Sequence, residues 1–175
     1  KMQSQMKKKQ IVVGVTKDGY VKRSSMRSYQ QATVCGLKEN DALIYREEIS
    51  TLNTLLIFTS LGNYIYLPAY KIDEQKWKDL GVYIDNIVHI MPNEKIINVF
   101  AIKDYNEDYN VLITTKMGLI KQTKLADFNI SRYTKAVKAM KLQDKDLVVS
   151  VDMARNYPMI VVFNKRGKAL RFRSN

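Results

Sequence analysis

Lysine and arginine side chains recur at equivalent places in this chain, shortly after a glycine that follows an apolar run. The positions concerned are Lys22, Arg23, Arg27, Lys121, Lys124, Arg132, Lys135, Lys138, Lys168, Arg171 and Arg173. Such cations bind phosphate oxygens without covalent chemistry, whereas the alternative is that they are solvated strand-edge charges that prevent edge-to-edge pairing. Acidic residues are absent from 20–38, and Asp127 is the single one in 109–143. This distribution favours a basic stripe that follows a polyanion.

The total charge agrees with that interpretation. There are 29 Lys and Arg against 17 Asp and Glu, which gives a net charge of +12. Four of the lysines lie in the polar segment 1–10, so most of the excess belongs to the remainder of the chain. Nucleic acid is the first class of partner that such a surface attracts, and an acidic membrane is the second. On charge alone, an ordinary basic soluble protein remains an alternative.

The side chains that could bind a metal or act as nucleophiles are few. Cys35 is the only cysteine and His89 the only histidine, so the sequence predicts neither a disulfide nor a zinc site. We expect Cys35 to be a small buried apolar residue and His89 an ordinary strand residue. No apolar run is long enough to span a membrane, and the lysine-rich segment 1–10 is not a signal peptide. These features predict a reducing cytoplasm and no membrane partner.

A strand-turn-glycine unit organises the chain and occurs four times. Each copy has an apolar run, a polar turn closed by glycine and a second strand-like run, and the glycines are Gly19, Gly62, Gly118 and Gly167. This pattern predicts β-hairpins in which the glycine adopts a left-handed conformation. The spacing of about 40–60 residues is typical of propeller blades. We therefore predict an all-β, propeller-like protein built from four-stranded blades.

A second pattern follows each of the first three hairpins. It places an acidic residue before another apolar run, at Asp41, Glu94 and Asp146. We interpret it as a second hairpin of the same blade, with the carboxylate as a turn feature rather than a catalytic group. The predicted organisation is a polar linker followed by four repeats, the last incomplete so that the domain is expected to continue: 1–10, then 11–54, 55–110, 111–159 and 160–175.

The second repeat has a long connection, 71–81, that contains the only tryptophan, Trp77. We expect a short helical turn before Gly81. Trp77 is predicted to cover the apolar layer of a blade rather than to stack on bases. Because Asp73, Glu74 and Asp79 lie in this connection, the second repeat is expected to contribute least to the basic stripe.

The repeated units resemble the C-terminal domain of the larger, DNA-cleaving subunit of bacterial type II topoisomerases (the gyrase A and topoisomerase IV A family), over nearly all of 11–173. The segments 16–23 (TKDGYVKR) and 77–81 (WKDLG) are typical of that family. The resemblance implies a β-pinwheel, a disc whose blades exchange strands, that bends duplex DNA around a basic perimeter with Lys22, Arg23, Lys121 and Arg171 facing the DNA. Gyrase has a Gln-Arg-Arg-Gly-Gly-Lys-Gly box in its first blade, and 26–33 (MRSYQQAT) lacks it. The chain is therefore more similar to topoisomerase IV than to gyrase, whose wrapping domain stays an alternative.

The resemblance also implies partners and cofactors outside this chain. They are the rest of the DNA-cleaving polypeptide, the ATPase polypeptide with which it forms an A2B2 heterotetramer, and the Mg²⁺ and ATP used elsewhere in the enzyme, with no cofactor in this chain. The implied role is to steer the transported DNA segment for decatenation, relaxation and chromosome segregation. The remaining rival is a propeller-like scaffold that binds an acidic protein through aromatic residues around Trp77.

One motif suggests catalysis. In this family an Arg-Tyr-Thr triplet surrounds the DNA-cleaving tyrosine, and Arg132-Tyr133-Thr134 has the same sequence. That chemistry needs clustered carboxylates for Mg²⁺ and a further arginine, which the flanking sequence does not contain. The first repeat has Arg27-Ser28-Tyr29 in the corresponding loop, so the repeat pattern accounts for Tyr133. We predict that this chain is not itself catalytic.

Overall fold

The computed structural model describes residues 7–130 and 134–155, together with the backbone of 160–163 and 169–172. The strands are β1 (Gln10–Thr16), β2 (Tyr20–Ser25), β3 (Leu43–Ser50), β4 (Thr54–Thr59), β5 (Asn63–Pro68), β6 (Val82–Tyr83), β7 (Ile96–Ile102), β8 (Tyr109–Thr115), β9 (Ile120–Lys124), β10 (Val137–Lys138), β11 (Val148–Arg155), β12 (Ile160–Phe163) and β13 (Ala169–Phe172). The one described α-helix is α1 (Met26–Gln31), and short 3-10 helices cover Ala69–Lys71, Ile84–Asn86 and Leu125–Phe128. The predicted all-β class is confirmed.

The strands form antiparallel sheets that we call blades one to four. Blade one has the order β3-β1-β2-β6, blade two has β10-β5-β4-β7, blade three has β11-β8-β9, and blade four has β12-β13. Each pair β1-β2, β4-β5, β8-β9 and β12-β13 is a predicted hairpin. β7 contacts both β3 and β11, so these three strands lie on a common inner side. The opposite ends of the sheets of blades one to three therefore face outward.

Neighbouring blades exchange their outer strands. β6 lies in the second repeat but pairs with β2 of blade one, through Tyr20 with Tyr83 and Val21 with Val82. β10 lies in the third repeat and pairs in the same way with β5 of blade two. The prediction of a second hairpin within each blade is therefore wrong for the partner of the incoming strand. Its turn and returning strand form, but in the second and third repeats the incoming strand pairs with the unpaired outer edge of the preceding blade.

The hairpin turns follow the predicted chemistry. Gly19, Gly62 and Gly118 have φ angles of 101°, 81° and 91°. These values lie in the left-handed region, where a side chain on Cβ is strained. A buried threonine precedes each turn, and its hydroxyl accepts a hydrogen bond from the amide just after the glycine, as from Tyr20 N–H to Thr16 Oγ1 at 3.0 Å. The shared geometry of the three turns thus comes from local residues.

The acidic residue of the second pattern holds the first turn of its own repeat. Asp146 Oδ1 accepts hydrogen bonds from the amides of Met117, at 3.0 Å, and Leu147, at 2.9 Å. Asp41 accepts in the same way from the amides of Asp18 and Ala42. Burial alone raises the pKa of Asp146, but its hydrogen bonds with Thr115 and these amides outweigh burial and lower the pKa. The carboxylates are therefore structural, as the sequence predicted.

The core lies between blades. On β4, Leu55 and Ile57 pack into the cluster shared with blade one, whereas Leu56 and Phe58 pack into the cluster shared with blade three. This alternation follows from the two-residue period of a strand whose two faces are both covered. Each buried side chain of this size contributes about 1.5–3 kcal/mol. Blade two is thus held from both sides, which fixes the spacing of the outer edges.

Candidate nucleic-acid interface

Several of the predicted basic residues lie along the outer edge. Lys121 and Lys124 are exposed on β9, which ends the described sheet of blade three on its outer side. Lys138 is exposed on β10, the outer strand of blade two, and Lys135 is exposed just before it. The Lys121 ammonium donates one hydrogen bond to the Ala139 carbonyl at 3.0 Å, which leaves two of its donors for a ligand. These lysines give the outer surface of two adjacent blades a positive charge.

Lys22 does not belong to this surface, so its assignment as a DNA contact is wrong. The residue is 1% exposed, and its ammonium donates to the carbonyls of Trp77 and Asp79 at 2.6 Å each. It also donates to Gly36 O at 3.1 Å and lies 3.3 Å from Cys35 Sγ. A buried ammonium is stabilised only when such acceptors replace its water shell. Lys22 therefore joins two loops and has no donor left for a phosphate.

The remaining predicted cations of the first repeat differ in exposure. Arg23 is half-buried, its Nη1 is 3.5 Å from Tyr70 O, and its Nε is buried without a hydrogen-bond partner in the described structure. Arg27 is exposed on α1, the helix that follows the hairpin of blade one. Ser25 caps this helix by accepting from Ser28 N–H at 3.1 Å. Arg27 is thus the more accessible of the two.

Some predicted residues cannot be placed. Arg132, Tyr133, Lys168 and Arg173 lie outside the described residues, and for Arg171 only the backbone on β13 is described, where it pairs with Val161. Their assignments stay predictions.

Cys35 and His89 differ from expectation. Cys35 is half-buried rather than buried, and its sulfur lies 3.3 Å from the buried Lys22 ammonium. His89 forms an isolated bridge with Lys135, and its exposed ring places Nδ1 2.9 Å from Asp85 Oδ1. Neither belongs to a cluster of metal-binding side chains within the described residues. No helix in the described part of the chain has the length and apolarity to cross a membrane.

Trp77 covers the apolar layer of a blade, as the sequence predicted. The blade that it covers is blade one, whereas Trp77 itself belongs to the second repeat. Its side chain is 4% exposed, and its ring covers the backbone of Gly14 on β1 so closely that a Cβ there would lie 2.8 Å from Cη2. Tyr29 of α1 packs edge-on against it at 5.0 Å between ring centroids. A single turn closes the segment, with Asp79 N–H donating to Lys76 O at 3.0 Å. The connection 72–81 is therefore part of blade one.

Sequence reasoning missed two basic residues because of this exchange. Lys76 and Lys78 flank Trp77, and both are exposed next to α1. The predicted burial of Trp77 was the available signal, because the charged side chains on either side of a buried residue stay in contact with water. Asp73, Glu74 and Asp79 lie in the same connection, which is why the sequence predicted a small contribution from this repeat.

The outer-edge lysines have no acidic partner among the described residues. Among the described residues, the salt bridges are His89–Asp85 and Lys95–Asp18, so none involves the outer-edge lysines. A cavity of about 570 Å³ between the inner strands is lined by Glu47 and Glu48 of β3 and also by Lys8 and Lys103, so its charges balance. The outer-edge lysines thus keep their charge without an acidic partner among the described residues, and such cations attract a polyanion to the outside.

Comparison with known proteins agrees with this architecture. The sequence profile described as "DNA gyrase C-terminal domain, beta-propeller" matches residues 10–45, 53–103 and 109–155. The chain belongs to this family. The A-type polypeptide of DNA topoisomerase 4 from Staphylococcus epidermidis is 33% identical over 168 residues, which cover 95% of this chain and 21% of that protein. The corresponding protein of Staphylococcus aureus strain MRSA252 is also 33% identical over 168 residues. The chain thus spans about a fifth of the length of these curated relatives.

Solved structures show the same fold within this gyrase-type propeller family. The crystal structure of the C-terminal domain of DNA topoisomerase IV matches with a TM-score of 0.84 and 35% identity, covering 96% of this chain and 53% of that one. The DNA gyrase A C-terminal domain matches with a TM-score of 0.63 and 27% identity, covering 95% and 55%. Both measures are higher for this topoisomerase IV domain than for this gyrase domain, in agreement with the resemblance seen in the sequence.

Proposed function

We propose that this propeller domain binds and bends duplex DNA along its outer edge and has no catalytic role of its own. The observation that carries the proposal is the set of exposed cations on or next to the outer strands of blades two and three, Lys138, Lys135, Lys121 and Lys124, together with Arg27 on α1 of blade one. Lysine and arginine neutralise phosphates and release counterions without reading bases. Binding is therefore expected to be steeply salt-dependent and nearly independent of sequence.

Bending follows from the shape of the edge. The blades are arranged about inner strands that contact one another, so the outer cations lie on a convex line. A straight duplex touches a convex line at few points, whereas a bent one contacts more of the charge. Smooth bending of a short site costs about 1–6 kcal/mol, which the extra phosphate contacts must offset.

The role in the whole protein is a proposal that rests on the names of the relatives. We propose that the chain is part of the DNA-cleaving polypeptide of a topoisomerase IV in the bacterial cytoplasm. It would steer a DNA segment during decatenation and relaxation, with the ATPase polypeptide, ATP and Mg²⁺ acting elsewhere. The segment 26–33 contains α1 and lacks the paired arginines of gyrase, which favours bending over tight wrapping.

Fluorescence anisotropy tests the binding. A labelled duplex of about 40 base pairs is titrated with the chain at several salt concentrations, and the slope of log K against log salt gives about 0.9 per phosphate contact. A steep slope and equal affinity for unrelated sequences are expected. Ligase-driven circularisation of DNA of about 150 base pairs, one persistence length, then measures bending. Absence of binding at low salt would contradict the proposed function.

A further inference from the structure

The cavity of about 570 Å³ lies between the inner strands of blades one and two. β3 ends the sheet of blade one and β7 ends that of blade two, so within the described residues each strand has one edge without a partner strand. Residues 47–50 of β3 and 99–102 of β7 line the cavity as two uninterrupted runs. Because successive side chains of a strand point to opposite faces, such a run borders the cavity along the strand edge. The cavity is therefore a slot between two strand edges, which we call the inner slot.

The two strands that border the inner slot run in the same direction. β3 begins with Leu43 opposite Thr16, and Ile96 has the equivalent place at the start of β7. The two starts are adjacent, because Ile96 N–H donates to Lys17 O at 2.9 Å. An extended segment between the strands can thus be antiparallel to both of them, which is the slightly more stable form of pairing.

The edge of β3 is better suited to pairing than the edge of β7. On β7, Val99 N–H donates to Asn98 Oδ1 at 2.8 Å, and Asn98 Nδ2 donates to Val151 O of β11 at 2.7 Å. The Asn98 side chain thus occupies part of the β7 edge. An unpaired strand edge is a template for another strand, and charged side chains such as those of 46–48 limit which segments it accepts. Backbone pairing is therefore expected at β3, with β7 as the opposite wall.

The acidic and basic groups of the inner slot lie at opposite ends. Glu47 and Glu48 lie within β3, whereas Lys8 and Lys103 lie beyond its end. The register of β1 with β3 brings Lys8 beside Leu52, and Lys103 follows β7 at the same end. Four residues separate Glu48 from Leu52, which is about 13 Å in an extended chain. A segment with opposite charges about four residues apart would complement both ends.

We propose that the inner slot binds an extended segment of a partner protein, which adds to the β3 edge and carries an acidic residue about four positions before a basic one. An antiparallel segment starts at Lys8 and Lys103 and ends at Glu47 and Glu48, so its acidic residue comes first. Apolar side chains between the two charges would contact Leu52, which is 45% exposed on the lining of the slot. This inference is independent of the proposed DNA binding, which uses the outer edge.

Fluorescence anisotropy with two labelled peptides tests the order of charges on the 175-residue chain. The first peptide is Ser-Glu-Val-Thr-Val-Lys-Ser, acetylated and amidated at its ends, and the second exchanges its Glu and Lys. We expect the first to bind about tenfold more tightly, because like charges oppose the second. Hydrogen exchange of the β3 amides should slow when the first peptide binds. Equal binding of the two peptides, or no binding of either at about 1 mM chain, would overturn the proposal.

Charge exchange within the slot separates this site from other surfaces. Lys8→Glu with Lys103→Glu, or Glu47→Lys with Glu48→Lys, should each weaken binding of the first peptide by about threefold or more. The variant with all four changes keeps the net charge and should prefer the second peptide. All four residues are exposed, so the fold should be retained, and the emission of buried Trp77 checks it.

Two further results would contradict the proposal. An unchanged peptide preference in the variant with all four changes would place the binding elsewhere on the chain. Protection of the β3 amides that rises with chain concentration, in the absence of peptide, would assign the inner slot to a second copy of this chain instead of a partner protein.

Discussion

The Lys22 ammonium lies 2.6 Å from the carbonyl oxygen of Asp79, a residue of the following repeat. This hydrogen bond crosses from the outer-facing hairpin of blade one to the connection that carries Trp77. It replaces a surface charge with a bridge between two repeats, so Lys22 affects stability where its sequence position suggested ligand binding.

Replacement of Lys22 by Met should therefore destabilise the fold. The change leaves the carbonyls of Trp77 and Asp79 without their donor, which costs about 1–3 kcal/mol. Urea unfolding followed by Trp77 emission measures the loss. Arg27→Met on exposed α1 is the control and should stay within about 0.5 kcal/mol of the unaltered chain. Equal stabilities of the two variants would contradict the bridge.

Replacement of Lys121 and Lys124 by Glu should weaken DNA binding without unfolding the domain. Both residues are exposed on the outer strand β9, so the change removes two phosphate contacts and adds repulsion. The salt slope should fall by about 2. Circular dichroism checks the fold, and the Lys8→Glu with Lys103→Glu variant controls for net charge. An unchanged affinity would remove β9 from the interface.

Replacement of Gly62 by Ala should destabilise the domain more than replacement of Gly118 by Ala. Both glycines have left-handed φ angles, which costs a side chain about 1–2 kcal/mol. At Gly62 the new Cβ would lie 2.5 Å from Met140 O of the exchanged segment, whereas at Gly118 nothing lies within 4 Å. The first variant should therefore lose the strain energy and part of the exchange contact. Urea denaturation followed by circular dichroism compares them, and equal losses would argue against the contact.

Replacement of Asp146 by Asn should reduce stability in a pH-dependent way. Hydrogen bonds lower the pKa of Asp146 in the folded state below the usual value of about 3.9. The carboxylate therefore stabilises the fold above that usual value, and the contribution is lost as the pH falls through the lower folded pKa. The difference between the unaltered chain and the variant should be full at pH 7 and shrink below about pH 4. Asp144→Asn, at an exposed position, is the control, and a constant difference at all pH values would contradict the assignment.

The sequence predicted the features that depend on neighbouring residues. The hairpin turns at Gly19, Gly62 and Gly118 and the carboxylates of Asp41 and Asp146 are set within a few residues or one repeat. The partner of an outer strand is different, because it depends on which edge is unpaired in space. The two-residue strand β6 carries no signal that it pairs with β2 rather than within its own repeat.

In the candidate interface, Lys22 and Lys121 show that the exposure of a side chain also depends on contacts that are distant in the sequence. Each lies three residues after its turn glycine, yet Lys22 is 1% exposed and Lys121 is accessible. The difference arises because the Trp77 connection covers that face of blade one, and no described residue covers the corresponding part of blade three in this way. Repeat position predicts the side of the strand, but long-range packing decides whether water reaches it.

The exchange of outer strands has a consequence for synthesis on the ribosome. Blade one lacks its outer strand until Tyr83 has emerged from the exit tunnel, and blade two lacks its own until Lys138 has emerged. Because folding during translation proceeds from the N-terminus, the newest blade always presents an unpaired strand to the crowded cell. Each of the second and third repeats thus pairs the exposed strand edge of the repeat made before it. A translational pause within either repeat would prolong the exposure of that edge.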